Sequence, residues 1–145
     1  MSTQFLNPPG LMPTHGWTHV VAATGGKTVY VSGQVSVDEH GHVVGRGDLR
    51  AQTERTFANL GVSLKAAGAS FRDVVKMNIY VVGLKPELVP LIRDVRGRYV
   101  RKDSPPASTL VGVSSLVGAD WLIEIDVIAV VADRTGRGSS ETVTG

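Results

Sequence analysis

Trp121-Leu122-Ile123-Glu124-Ile125-Asp126-Val127-Ile128-Ala129-Val130-Val131-Ala132 alternates with a period of two. Trp121, Ile123, Ile125 and Val127 fall on one face, and Glu124 and Asp126 on the other, among Leu122, Ile128 and Val130. The stretch reads as a strand with one apolar face and two carboxylates pointing the same way from the opposite face. A carboxylate in apolar surroundings is costly unless it is paired. Such groups serve either as general acids and bases or as members of structural ion pairs, here with arginines or backbone amides at a subunit contact.

Working outward, Ser108 to Val113 reads as a strand that joins this one through Val117-Gly118-Ala119-Asp120, a predicted hairpin. Upstream, Leu88, Leu91, Ile92, Val95 and Tyr99 follow helical spacing, and Pro86 and Pro90 fall where a first turn leaves amides unpaired. Asp73 to Val82 is again period two, with Val75, Met77, Ile79 and Val81 on one side and Lys76, Asn78, Tyr80 and Val82 on the other. Asp48 can cap a helix that carries Leu49, Phe57, Leu60 and Leu64, and Gly68 can end it in the left-handed conformation. His19 to Ala23 and Lys27 to Gln34 flank Thr24-Gly25-Gly26 and predict a second hairpin, with His42 to Val44 as a short third strand. The fold class is α+β, one sheet with both helices on a single face. The other face is partly apolar and no third helix is available to cover it, so a closed oligomer of identical copies is expected.

With 145 residues and 42% hydrophobic content, the chain suits one domain, set at residues 1–132. Residues 1–13 contain three prolines and are expected to be extended or mobile, and 133–145, rich in Gly, Ser and Thr, to be a disordered tail. Cysteine is absent, which removes disulfides, thiolate metal sites and cysteine nucleophiles. The start has no basic region followed by an apolar run and no stretch has the length of a membrane span, so a cytoplasmic protein without membrane contact is expected.

The formal charge of +2, from 15 basic and 13 acidic residues, is close to balanced. The run Arg93, Arg96, Arg98, Arg101 and Lys102 suggests a phosphate surface. Helical geometry disperses it around the Leu88–Tyr99 stripe, which makes most of it a solvated face and leaves no nucleic-acid partner expected. His15 and His19, and His40 and His42, have no suitably spaced carboxylate, so no metal is expected. Val31-Ser32-Gly33-Gln34 ends a strand, where Gly33 either marks a bulge or lets the backbone approach a ligand.

Asn7-Pro8-Pro9-Gly10, Val29-Tyr30-Val31-Ser32-Gly33-Gln34, Gln52-Thr53, Ala66-Ala67-Gly68, Asp73-Val74-Val75-Lys76, Pro105-Pro106-Ala107 and Ile123-Glu124-Ile125-Asp126-Val127-Ile128-Ala129 occur in the order and spacing of one family. From about residue 7 to residue 132 the chain resembles the Rid (reactive intermediate deaminase, YjgF-like) family. The resemblance implies a chorismate-mutase-like fold, a homotrimer whose sheets form a central barrel, and three small-molecule clefts between subunits; no cofactor is expected. In deaminating members that it resembles, an arginine directly after Pro-Pro-Ala holds the substrate carboxylate, and a glutamate on the last strand places the hydrolytic water. Here Ser108 follows Ala107, and a hydroxyl offers one neutral donor where a guanidinium offers a charged fork. Glu124 matches the glutamate, Gly33 the cleft glycine, Tyr80 a lining aromatic and Trp17 an aromatic usually found as tyrosine. Arg93 and Arg96 stand where many members place asparagine and tyrosine, and Arg96 is a candidate to restore the lost charge.

The expected catalytic residues are therefore Glu124 and Ser108, with Trp17, Gly33, Tyr80, Arg96 and Ala107 binding ligand. The expected activity is hydrolysis of an imine or related metabolite other than a simple amino-acid imine. The alternatives are a noncatalytic ligand-binding or regulatory trimer, and a ribonuclease or translation inhibitor.

Overall fold

The computed structural model describes residues 1–133, so the expected disordered tail lies, from residue 134 on, outside the described residues. Six strands and two helices follow one another as β1 (Ser2–Leu6), β2 (Val20–Thr24), β3 (Lys27–Val35), α1 (Leu49–Ala66), β4 (Val74–Val82), α2 (Val89–Arg96), β5 (Ala107–Val113) and β6 (Ile123–Val131). The main sheet has the order β3-β6-β4-β5, and β1 and β2 form a separate antiparallel pair. This is the expected α+β architecture, with the helices on one side of the main sheet.

The local signals for α1 act as anticipated. The Asp48 side chain accepts from the Ala51 amide at 3.0 Å, and Gly68 adopts a φ of +73° just beyond the helix end. Phe57, Leu60 and Leu64 are fully buried from α1 and meet Ile92 and Val95 of α2 together with Met77, Ile79, Val81, Ile123, Ile125 and Val127 of the sheet. Tyr99 stacks on Phe57 with ring centroids 5.0 Å apart, so the stripe read across Leu88–Tyr99 is real although α2 itself ends at Arg96.

Four expectations are corrected. β5 and β6 do not form a hairpin, because β5 runs parallel to β4 after the α2 crossover that parallel strands require, and both edges of β6 are taken by β3 and β4. β2 and β3 do not pair either. Thr18 is fixed to the start of β5, with its amide donating to Pro106 O at 3.1 Å and its hydroxyl to Pro105 O at 2.6 Å, while Lys27 begins β3 at the opposite sheet edge. The intervening residues must therefore cross from one edge to the other, and β2 takes β1 as its partner, in register from Ser2–Thr24 to Leu6–Val20. The N-terminal segment is thus a paired strand over Ser2–Leu6. His42–Val44 makes only an isolated Val37–Val43 bridge. Along β4, Val74 is buried in place of Val75, because the register with β6 shifts between Val74 and Lys76.

Candidate functional site

On the uncovered face of the sheet the polar positions of β4 and β6 meet in register. Tyr80 lies opposite Glu124 and Asn78 opposite Asp126, with Asn78 Nδ2 donating to Asp126 Oδ1 at 2.9 Å. Lys76 Nζ donates to Thr109 Oγ1 of β5 at 2.9 Å on the same face. Burial, and then its interaction with the Asp126 carboxylate, push the Tyr80 phenol above its ordinary pKa, with a smaller contribution from Glu124. The Tyr80 hydroxyl therefore stays neutral and available as a hydrogen-bond donor.

Gly33 completes this group. The β3–β6 register shifts between Val31 and Gln34, so Gly33 sits in an irregularity of the ladder, one of the two roles its sequence context suggests. The second role is also met, because the Glu124 side chain lies directly over it. A Cβ at position 33 would come within 2.8 Å of Glu124 Cδ and 3.0 Å of Cγ, and still nearer to Oε2. Only glycine leaves room for the carboxylate in this position.

The remaining expected site residues gather elsewhere. Ser108 stands opposite Met77 of the core, so it faces the helices, and its hydroxyl is buried without a hydrogen-bond partner. Three residues of strand separate Met77 from Tyr80, roughly 10 Å along the chain axis. Ala107 bridges to Thr18, and Trp17 beside it packs edge-to-face on His19 at 4.7 Å. Gly16, on the same loop, is close against Arg96, where an added Cβ would meet Nη2 at 2.8 Å. The chain thus brings together Gly33, Tyr80 and Glu124 as one group, and Trp17, Arg96, Ala107 and Ser108 as another.

Arg96 departs most from expectation. It is only 5% exposed, and among the described residues its guanidinium has neither an ion pair nor a hydrogen bond. Burial first, and repulsion from Arg93 second, lower its pKa. Helix geometry alone placed it at the margin of the apolar stripe; the loop that covers it comes from the N-terminal region, a contact no local pattern announces. Asn78, the partner of Asp126, was likewise visible only as a polar position of its strand, and Thr18 carried no sequence signal because its partners lie on β5. No group of three or more His, Cys, Asp or Glu side chains among the described residues is arranged to hold a metal ion.

The family model described as Endoribonuclease L-PSP matches residues 10–131. The chain belongs to the Rid (YjgF-like) family. Among Rid relatives, the 2-iminobutanoate/2-iminopropanoate deaminase of Dermatophagoides farinae is 33% identical over 73% of this chain and 80% of its own length. The 3-aminoacrylate deaminase RutC of Acinetobacter baylyi is 36% identical over 84% of this chain and 90% of its own. The structure of the Rid-family protein YyfB from Yersinia pestis superposes with a TM-score of 0.78 at 33% identity, covering 90% of this chain and all of that one. No helix among the described residues is long and apolar enough to cross a membrane.

Proposed function

We infer that the chain works as a cytoplasmic homotrimer of single Rid domains spanning residues 1–132. Its sheets form a central barrel and its small-molecule clefts lie between subunits. There it hydrolyses an imine or related metabolite other than the simple amino-acid imines. The observation that carries this reading is the Glu124 carboxylate seated over Gly33 beside the neutral Tyr80, a polar group on the sheet face turned away from the helices. The division of the expected residues into two groups within one chain supports the cleft between copies, since a neighbouring subunit can supply the second group. The exposed Tyr30 and Val111 on the same face supply apolar surface for that contact.

In this mechanism Glu124 accepts a proton from water as the water oxygen bonds to the imine carbon, and returns that proton to the nitrogen; it then relays the proton of the new hydroxyl to the amine. Collapse of the tetrahedral adduct then breaks the carbon–nitrogen bond, releasing ammonia and leaving a carbonyl. Tyr80 donates a hydrogen bond within the cleft, and Trp17 provides apolar contact. Ser108 puts no charged group where deaminating members carry an arginine, and its own hydroxyl is buried on the helix side, which moves the substrate away from small α-imino acids. Two relatives are named as deaminases, one of an imine and one of 3-aminoacrylate, which fits this reaction class.

The test is ammonia release from freshly generated 2-iminopropionate, 2-iminobutyrate and a panel of larger imines and enamines, for the natural protein and for Ser108→Arg and Glu124→Gln. The expected outcome is no acceleration with the two small imines until Ser108→Arg is introduced, and turnover of a panel member that Glu124→Gln abolishes. Full activity of Glu124→Gln would refute the role of this carboxylate.

A further inference from the structure

We propose that the recess at the C-terminal end of α2 is an anion site in which the Arg96 guanidinium, backed by Arg93 and Lys102, holds a small dianion, a dicarboxylate or a phosphate group. The recess has a volume of about 340 Å³, within the range of small-molecule sites, and His15, Arg93, Arg96, Val100, Arg101 and Lys102 line it together with two glycines and no carboxylate.

The charges around it are unevenly satisfied. Asp94 engages Arg50 at 2.8 Å and Arg98 at 3.2 Å, and Asp103 engages Arg101 at 2.7 Å. Those acids are committed, and Arg93, Arg96 and Lys102 have no acidic partner among the described residues. An arginine residue only 5% exposed whose guanidinium opens on a recess without a counter-ion among the described residues is rare, because burying a charge is costly unless it is paired. Here the cost is increased by Arg93 beside it, which depresses the Arg96 pKa further. A bound anion would offset both the cost of burial and the repulsion from Arg93.

The excess of cations selects more than one negative charge on the ligand. The planar fork of Arg96 suits a carboxylate or phosphate oxygen pair, and Arg93 and Lys102, both exposed at the rim, add longer-range attraction. The recess, rather than a continuous basic stripe, points to a small ligand and away from a polymer. The inference does not depend on hydrolysis at Glu124, so it is tested by binding alone.

Thermal midpoints and calorimetric titrations of the full chain with succinate, inorganic phosphate and acetate, at constant ionic strength, provide the test. Saturable stabilisation by succinate or phosphate is expected, with acetate at least roughly tenfold weaker, and the stronger of the two dianions identifies the chemistry. Arg96→Met is expected to weaken that binding by roughly tenfold to a hundredfold, the range for a lost charged hydrogen bond. In anion-free buffer it should unfold no earlier than the natural protein, since an unpaired buried charge has been removed. If Arg96→Met instead melts earlier without anion and changes the assembly state on size exclusion, Arg96 pairs with a carboxylate of another copy and the proposal falls. An unchanged response to dianion in Arg96→Met also overturns it. Should that variant not fold, the double change Arg93→Gln and Lys102→Gln at exposed positions decides: affinity must fall at least tenfold, and an unaltered affinity refutes the site.

Discussion

The two faces of one sheet divide the labour of this molecule. On the helix-covered face Met77, Ile79, Val81, Ile123 and Ile125 of β4 and β6 are 0% exposed, whereas on the other face, on the edge strands β3 and β5, Tyr30 is 77% and Val111 39% exposed. The covered side of β4 and β6 is apolar and carries the packing. The open side carries paired polar groups, Asn78 with Asp126, Lys76 with Thr109 and Tyr80 with the carboxylates. Because strand side chains alternate, a substitution at Lys76, Asn78, Tyr80, Glu124 or Asp126 reaches chemistry and one at Met77, Ile79, Val81, Ile123, Ile125 or Val127 reaches stability. Function can therefore vary on this scaffold without disturbing the core.

The most damaging changes belong to the covered side. Phe57→Ala removes a fully buried ring that stacks on Tyr99 at 5.0 Å and packs beside Phe71 at 6.0 Å, and should cost about 3–5 kcal/mol in urea unfolding. Next comes Gln52, fully buried in α1. Its amide donates to Gly45 O at 3.1 Å and Asp120 O at 3.0 Å and accepts from the Leu122 amide at 2.9 Å. Gln52→Leu keeps the bulk but strands these backbone groups, a loss on the order of 3 kcal/mol. A loss near zero would mean that water replaces the amide and that the approach to β6 is not held by it.

Those residues also mark how far the sequence can be read. Phe57 was legible because its burial follows from helical spacing under a cap at Asp48, both local signals. The inward parity of Met77, Ile79, Ile123 and Ile125 was legible for the same reason. Strand partners were not: alternation states which face a strand buries but not which neighbour it takes, so β6 between β3 and β4, and β2 beside β1, escaped the hairpin rules. The site divides similarly. Glu124 and Asp126 on one face, and Tyr80 on the outward face of its strand, followed from parity. The seating of Glu124 on Gly33, the inward turn of Ser108 and the enclosure of Arg96 arise from contacts between segments far apart in the chain.

Gly33→Ala separates the two faces most directly. Its backbone does not need positive φ, and the atoms an added methyl would meet are the end of the flexible Glu124 side chain. Glu124 can rotate away at a cost of about 1 kcal/mol, so the thermal midpoint should fall little. The carboxylate is nonetheless displaced, and any turnover that depends on Glu124 should drop as far as in Glu124→Gln. A large loss of stability with turnover retained would show that the Gly33 irregularity serves the fold and not the site.

The smallest effect lies outside both faces, in the ion pairs that bridge the helices. Asp94 of α2 meets Arg50 of α1 and Arg98, and Arg98 also reaches Glu54 at 3.3 Å. The hydrogen bond from Arg50, then the charge of Arg98, hold the Asp94 carboxyl below its ordinary value of 3.8. A depressed carboxylate favours the folded state above the unfolded pKa, and that contribution is lost as pH falls through the folded value. The groups are exposed and screened, so Asp94→Asn should lower the thermal midpoint only slightly at neutral pH. The difference from the natural protein should shrink in high salt and vanish on acidification below the ordinary carboxylate range. A difference that persisted in acid would assign Asp94 a packing role between the helices in place of an electrostatic one.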